Sequence, residues 1–281
     1  MTRPAASEET LARPDGLGGA VNESRYDLVV VGAGSGGYAA ARTARDLGAS
    51  VALVDHGPLG GLCILRGCMP SKTLIASSDL AQEIRESGAL GIRAGDLQVD
   101  FAAVMARKRE IIAGFADYRV QALHSFPLFE GLARFVGPDT LQVGDDTLLQ
   151  GRHFVIATGS VVAPPAVPGL AEAGYIDSDA ALDLEHLPAS LAVLGGGYVA
   201  AELGQFFSRL GVPTTMLIRG KHLLSREDKD VGDSLTFYFR QEGIRVESGA
   251  QLTRVERRGT CLLYTSPSPR DYAASRMPSS A

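Results

Sequence analysis

Two cysteines set the chemical question in this sequence. Cys63 and Cys68 lie in the run Gly60-Gly61-Leu62-Cys63-Ile64-Leu65-Arg66-Gly67-Cys68-Met69-Pro70-Ser71-Lys72, with four residues between them. Such a pair can be a redox dithiol, half of a metal site, or inert packing. A metal would need two further ligands, and the histidines (His56, His124, His153, His186, His222) are scattered without ligand spacing. A disulfide needs Cα atoms about 5.5 Å apart. Residues i and i+5 of a regular helix are farther apart and point to different faces, so the segment must be distorted. Gly67, beside Cys68, supplies the freedom. Pro70 is tolerated in a first helical turn, which sets both sulfurs near a helix N-terminus, where a thiolate is favoured. On spacing alone, buried inert thiols stay open as an alternative.

Elements that could position such a pair flank it. Tyr26–Val31 is an apolar run with the pattern of a buried parallel strand. It feeds into Gly32-Ala33-Gly34-Ser35-Gly36-Gly37, an Ala-rich helix to about Leu47, and a strand Ser50–Val54 closed by Asp55. Glycines at Gly32, Gly34 and Gly37 allow a tight turn, backbone approach to a pyrophosphate and close helix–strand packing. The helix N-terminus favours phosphate, and Asp55 is placed for a ribose 2′-OH. A second unit repeats the pattern: strand Leu191–Leu194, Gly195-Gly196-Gly197, Tyr198 and Val199, a helix from Ala201 to Leu210, and strand Thr214–Ile218. No acid closes that strand. Ile218 holds the place, Arg219 follows and Lys221 is close by. Cations there tolerate a 2′-phosphate, so NADPH is favoured over NADH.

Between the units, Thr73–Ser87 and Phe101–Ser125 show helical spacing, the second with Arg107, Lys108 and Arg109, read as a solvated face. Pro127–Gln150 turns β-like, and Arg152–Ser160 reads as another buried strand ending in Thr158-Gly159-Ser160. Pro164, Pro165 and Pro168 mark a crossover. Residues up to about Ser24 have no apolar period and read as a flexible leader without a secretory core. The 281 residues carry net charge −5, a balance that argues against nucleic-acid binding. No apolar run approaches a membrane span, and the cysteine count suits a cytoplasmic protein.

These motifs, in this order, resemble the pyridine-nucleotide disulfide oxidoreductases, over about residues 26–258. The likeness rests on Gly32-x-Gly34-x-x-Gly37, Gly-Gly-Leu-Cys63…Cys68-Met-Pro-Ser-Lys72, Ala157-Thr158-Gly159-Ser160 and Gly195-Gly-Gly-Tyr-Val-Ala-Ala-Glu202. It implies an α/β chain with two Rossmann-like domains of the FAD/NAD(P)-binding fold, the second truncated. The expected division is a leader at 1–25, a FAD domain with the redox disulfide at 26–165, and an NAD(P) domain at 166–260.

The resemblance also implies roles. FAD would lie at Gly32, Gly34, Ser35, Gly37 and Asp55, beside Gly61 and Leu62, with Leu132, Ala133, Thr158, Gly159 and Ser160 near it. NAD(P)H would lie at Gly195, Gly197, Tyr198, Val199, Arg219 and Lys221, with Tyr198 as a gate. Hydride passes to the flavin, and the flavin reduces the disulfide. Cys68 is similar to the thiol against the flavin and Cys63 to the one that attacks substrate. Lys72 and Glu202 look like the ion pair by the flavin, with a plain salt bridge as the alternative. The substrate would be a small disulfide or a metal ion, and the full-length protein a homodimer. Leu62 and Leu65 stand where the family has Thr and Asn, and Arg66 where it has a small apolar residue. The substrate subclass is therefore left open. Other readings are a nucleotide-binding fragment without turnover and a flavoprotein that serves a protein partner without using the cysteines.

The resemblance also implies a C-terminal dimer domain that supplies an acid–base pair, and no counterpart to it is expected after Val246. The run Cys261-Leu262-Leu263-Tyr264-Thr265-Ser266 reads like a translated transposon-end adaptor, and residues 261–281 are expected to be a non-native tail. A chain of this extent, expressed alone, is expected to be poorly soluble and to hold FAD weakly.

Overall fold

The computed structural model describes residues 22–258 and 261–265. They form two compact units, one from the chain before residue 71 with 109–161, the other from 71–108 with the chain after 161. This differs from a single division at 165/166, because the helical excursion 71–108 joins the second unit. Leu74, Ala81, Phe101 and Met105 share one apolar cluster there with Leu203, Phe206 and Phe207.

The first unit contains β1 (Asn22–Val31), α1 (Ser35–Asp46), β2 (Val51–Asp55), α2 (Gly61–Leu65), the first turn of α3 (Cys68–Glu86) and the later part of α4 (Phe101–Leu123). The strands β3 (Leu128–Glu130), β4 (Ala133–Phe135), β5 (Thr140–Val143) and β6 (Thr147–Ile156) complete it. One sheet runs β3-β2-β1-β6-β5-β4, parallel through β6 and antiparallel at the β5 and β4 edge. Side chains alternate across a strand, so Val30 and Leu53 enter one apolar cluster while Val29, Ala52 and Val54 enter the other. Strands covered on both faces give the continuous apolar runs of the sequence.

Two expectations need correction in this sheet. Residues 22–25, assigned to the leader, belong to β1, where Asn22 pairs with Thr147 and Arg25 with Gln150. The expected buried strand at 152–160 is β6. It starts earlier, at Thr147, and leaves Arg152, His153 and Ile156 exposed. The pairing with β1 fixes its position whatever its side chains face. Asp27 ties the edge of this arrangement. Its carboxylate accepts from the Ser50 N–H at 3.0 Å, the Ser50 hydroxyl at 2.8 Å and Arg152 at 3.3 Å.

In the second unit, α3 and the start of α4 are joined by α5 (Leu170–Ala173), α6 (Ser178–Ala181), β7 (Leu191–Leu194), α7 (Tyr198–Arg209), β8 (Thr214–Ile218), α8 (Lys229–Gln241) and β9 (Arg245–Ser248). The strands β7-β8-β9 form a parallel sheet with α7 and α8 as its crossovers. Helix α7 starts at Tyr198, three residues before the expected Ala201, because Gly197 takes the extended cap conformation.

The solvated face expected for Arg107, Lys108 and Arg109 fails at Lys108. Lys108 is buried, donating to the Leu182 carbonyl at 2.8 Å and to Asp183 at 2.6 Å. Arg209 joins three helices. It donates from Nε to Glu242 at 2.7 Å and from Nη1 to Asp79 at 2.5 Å, and Gln205 adds a bond to Glu242.

Two further strands, β10 (Arg254–Arg258) and β11 (Cys261–Thr265), pair antiparallel. Residues 261–265, set apart as a non-native tail, are therefore paired here. Antiparallel pairing uses main-chain groups that any sequence offers. Residues 266–281 and 1–21 lie outside the described residues. No helix among the described residues is long and apolar enough to cross a membrane.

Candidate functional site

The cysteine stretch is wound by its glycines. Gly60 and Gly61 both have positive φ, +122° and +75°, a region open to glycine at little cost. They admit the chain into α2, which carries Cys63. The helix breaks after Leu65, and α3 opens at Cys68 with Pro70 in its first turn. Gly67 works differently from the expectation, since its φ is not among the positive ones. Its role is close approach: a Cβ there would stand 3.0 Å from the Leu62 carbonyl oxygen and 3.4 Å from Cys63 Cα. The chain thus folds back over Cys63 before Cys68. Cys63 is half-buried and Cys68 exposed.

The first glycine turn meets this stretch directly. A Cβ on Gly61 would lie 2.5 Å from Gly34 Cα, so the two backbones touch. Asp55 holds the same turn from β2, accepting from Ala33 N–H and Gly57 N–H, each at 2.7 Å. Each carboxylate oxygen keeps a second lone pair, so a ribose hydroxyl can still be received.

Around these groups is a cleft of about 310 Å³. Of the residues expected near FAD, Gly32, Gly34, Asp55, Gly61, Leu62, Leu132, Ala133, Thr158, Gly159 and Ser160 line it. Ser35 and Gly37 are not on its wall. Gly37 instead packs α1 against the turn, where a Cβ would strike the Gly32 carbonyl oxygen at 1.8 Å. His56, Gly57, Pro58, Leu65, Arg66 and Gly131 line it without having been picked as site residues. Their signal was positional: they sit in or near the loops that leave the carboxyl ends of β2 and β3, where ligands of parallel sheets bind.

The glycine turn on this wall suits a phosphate group. Helix α1 has Gly34 as its cap, no side-chain cap bond and no acid in its first turn. Its first N–H groups therefore lack intrahelical acceptors and favour an anion. Space is open beside Gly36, where a Cβ would meet nothing within 4 Å.

The second unit repeats these features in a cleft of about 730 Å³. Gly195, Gly197, Tyr198 and Arg219 line it, whereas Val199 and Lys221 do not. Helix α7 also lacks a side-chain cap and an early acid. The loop after β8 adds His222, Ser225 and Arg226 to the wall. Its path is fixed by Leu224, held at φ +51° while its N–H donates to the Gly196 carbonyl at 2.7 Å. His222 Nδ1 lies 2.8 Å from the Leu223 carbonyl oxygen, to which only an N–H can donate. Arg226 was missed because it lies seven residues beyond Arg219, and only the fold of the loop brings it to the cleft.

Lys72 and Glu202 form the expected ion pair within the second unit. Ser71 adds a hydroxyl bond to Glu202 at 3.1 Å. Among the described residues, no cluster of three or more His, Cys, Asp or Glu is placed to hold a metal ion.

A family model for pyridine nucleotide-disulphide oxidoreductases matches residues 26–277, beyond the 26–258 expected from the motifs. The chain is 35% identical over 252 residues to a mercuric reductase from Streptomyces lividans, covering 87% of this chain and 53% of that protein. It is 33% identical over 236 residues to a dihydrolipoyl dehydrogenase from Chlamydia pneumoniae, covering 82% and 51%. Among solved structures it is similar to the HOCl-induced flavoprotein disulfide reductase RclA from Escherichia coli. That match has TM-score 0.73 and 28% identity, and covers 86% of this chain and 53% of that one. The chain spans about half the length of the curated relatives it matches.

Proposed function

Since the chain belongs to the pyridine nucleotide-disulphide oxidoreductase family, we propose that it carries the nucleotide sites and the cysteine pair of a FAD-dependent NAD(P)H oxidoreductase. The observation that carries this is the first cleft, whose wall combines the glycine turn after β1 with Gly61, Leu62, Leu65 and Arg66 of the cysteine stretch. When bound there, the flavin supplies two-electron relay from the reduced nicotinamide to the cysteine pair.

The side chains supply the rest. Two electrons and two protons open a Cys63–Cys68 disulfide to the dithiol. The Cys63 thiolate attacks a substrate disulfide, forming a mixed disulfide and releasing one thiol. Cys68 then attacks the Cys63 sulfur, which releases the second thiol and restores the intramolecular bond. Cys63 lies in α2 and Cys68 opens α3. Relatives named mercuric reductase make a thiophilic metal ion the alternative electron acceptor.

Arg219 and Arg226 on the second cleft support NADPH over NADH, since guanidinium groups bind phosphate by paired hydrogen bonds. Lys72 and Glu202 are assigned an electrostatic part in flavin reduction. The working assembly is proposed to be a homodimer of a chain with the relatives' length, acting in the cytoplasm.

Cys63→Ser in the complete reductase is the direct test. Loss of NADPH-driven disulfide reduction by at least about 10²-fold, with FAD content retained, is expected. Unchanged turnover would refute a role for the pair and leave a flavoprotein that passes its electrons elsewhere.

A further inference from the structure

The contact between Gly61 and Gly34 does more than fill space. Gly34 caps α1 in the glycine turn after β1, and Gly61 is the first residue of α2, the helix that carries Cys63. A Cβ on Gly61 would come within 2.5 Å of Gly34 Cα, closer than real Cβ contacts come, so the two backbones approach where no side chain fits. A second link runs beside it. The Asp55 carboxylate receives Ala33 N–H, one residue before Gly34, and Gly57 N–H, in the loop that leads to Gly61. The phosphate turn and the cysteine helix are therefore held at two points by groups that all lie within the first unit.

We propose that Gly61 and Asp55 are positioning residues that couple occupancy of the phosphate turn to the reactivity of Cys63. Ordering the turn around a dinucleotide orders Ala33 and Gly34, and the clamp passes that order to the loop 57–61 and to α2. Neither residue needs to touch the sulfur. This rests on the flavoprotein reading, and goes beyond it in giving Asp55 a task inside the protein besides any bond to ribose.

A control for backbone strain is built into the same unit. Gly48 also has positive φ, +87°, but a Cβ there would meet nothing within 4 Å. Gly48→Ala therefore imposes the conformational cost of alanine without a collision, whereas Gly61→Ala imposes both.

The experiment uses the complete reduced protein, stripped of FAD and then titrated with it, in wild type, Gly48→Ala, Gly61→Ala and Asp55→Asn. FAD binding is read by flavin fluorescence, and alkylation of Cys63 by iodoacetamide is read by peptide mass. In wild type and Gly48→Ala, saturating FAD should change the Cys63 alkylation rate by at least about fivefold. In Gly61→Ala the rate should respond less than about twofold at saturating FAD, and FAD should bind at least about tenfold more weakly.

Asp55→Asn introduces no added bulk, so it keeps the test open should Gly61→Ala fail to fold. Its alkylation response should also be lost or at least halved. A full wild-type response in Gly61→Ala or in Asp55→Asn overturns the coupling. So does a wild-type protein that binds FAD while Cys63 is indifferent to it, an outcome that leaves the flavoprotein reading standing. Failure of wild type to bind FAD would bring down both.

Discussion

Asp27 is a residue whose chemistry is local enough to predict from its partners alone. The Ser50 backbone N–H, then the Ser50 hydroxyl and Arg152, hold its carboxyl below the ordinary value of 3.8. The folded state thus binds fewer protons at Asp27 than the unfolded chain does. Its contribution is complete above the unfolded pKa and is lost as pH falls through the lowered folded pKa. Thermal unfolding of wild type and Asp27→Asn from about pH 6 to about pH 3 should show a wild-type advantage that closes at the acid end. A constant gap would remove the ionised carboxylate from the explanation. Asp27 was invisible as a site in the sequence because Ser50 is 23 residues away, brought to it by β1–β2 pairing. Lys108 was misread for a similar reason. Its neighbours Arg107 and Arg109 suggest a wet face, but its partners, Leu182 and Asp183, lie more than 70 residues on.

At the scale of elements, the second unit depends on Arg209. Its guanidinium stands at the end of α7 and reaches Asp79 in α3 and Glu242 at the cap of α8, and its side chain is only 18% exposed. Glu242 raises the arginine's already high pKa further, so the group stays charged at every working pH. Removing it leaves a Glu242 carboxylate that is 14% exposed with little but Gln205 to receive. Arg209→Ala is expected to lower stability by about 2–4 kcal/mol, toward the range for breaking a buried pair but reduced by the exposure of Asp79. Arg209→Lys should recover less than half, since it lacks the planar fork. Denaturant midpoints check this, and a loss below about 0.5 kcal/mol would place the network with ordinary surface pairs. The elements themselves were largely legible. The strand–glycine–helix–strand units appear within a few residues of where periodicity put them. What moved were their ends, at β1, β6 and α7, which pairing and cap geometry set rather than propensity.

For the whole molecule, the two clefts share no lining residue, and each is walled by one unit alone. Replacing both Arg219 and Arg226 by Ala should weaken NADPH binding at least about 10²-fold with NADH nearly unaffected and FAD content unchanged. Calorimetric titration with each nucleotide, alongside flavin absorbance, reads this. Equal losses for NADH and NADPH would deny the arginines a 2′-phosphate role.

The sequence by itself determined the chemistry on offer: two glycine turns, a paired thiol stretch and the parallel strands that carry them. Those signals are short-range, written in residue type and spacing over a dozen positions. Only the tertiary structure decided which groups meet. It set Gly61 on Gly34, hung both arms of the clamp on Asp55, brought Arg226 to the second cleft and buried Lys108. Each of those depends on backbone approach between segments distant in the chain, which sheet register and helix packing fix and local spacing does not encode.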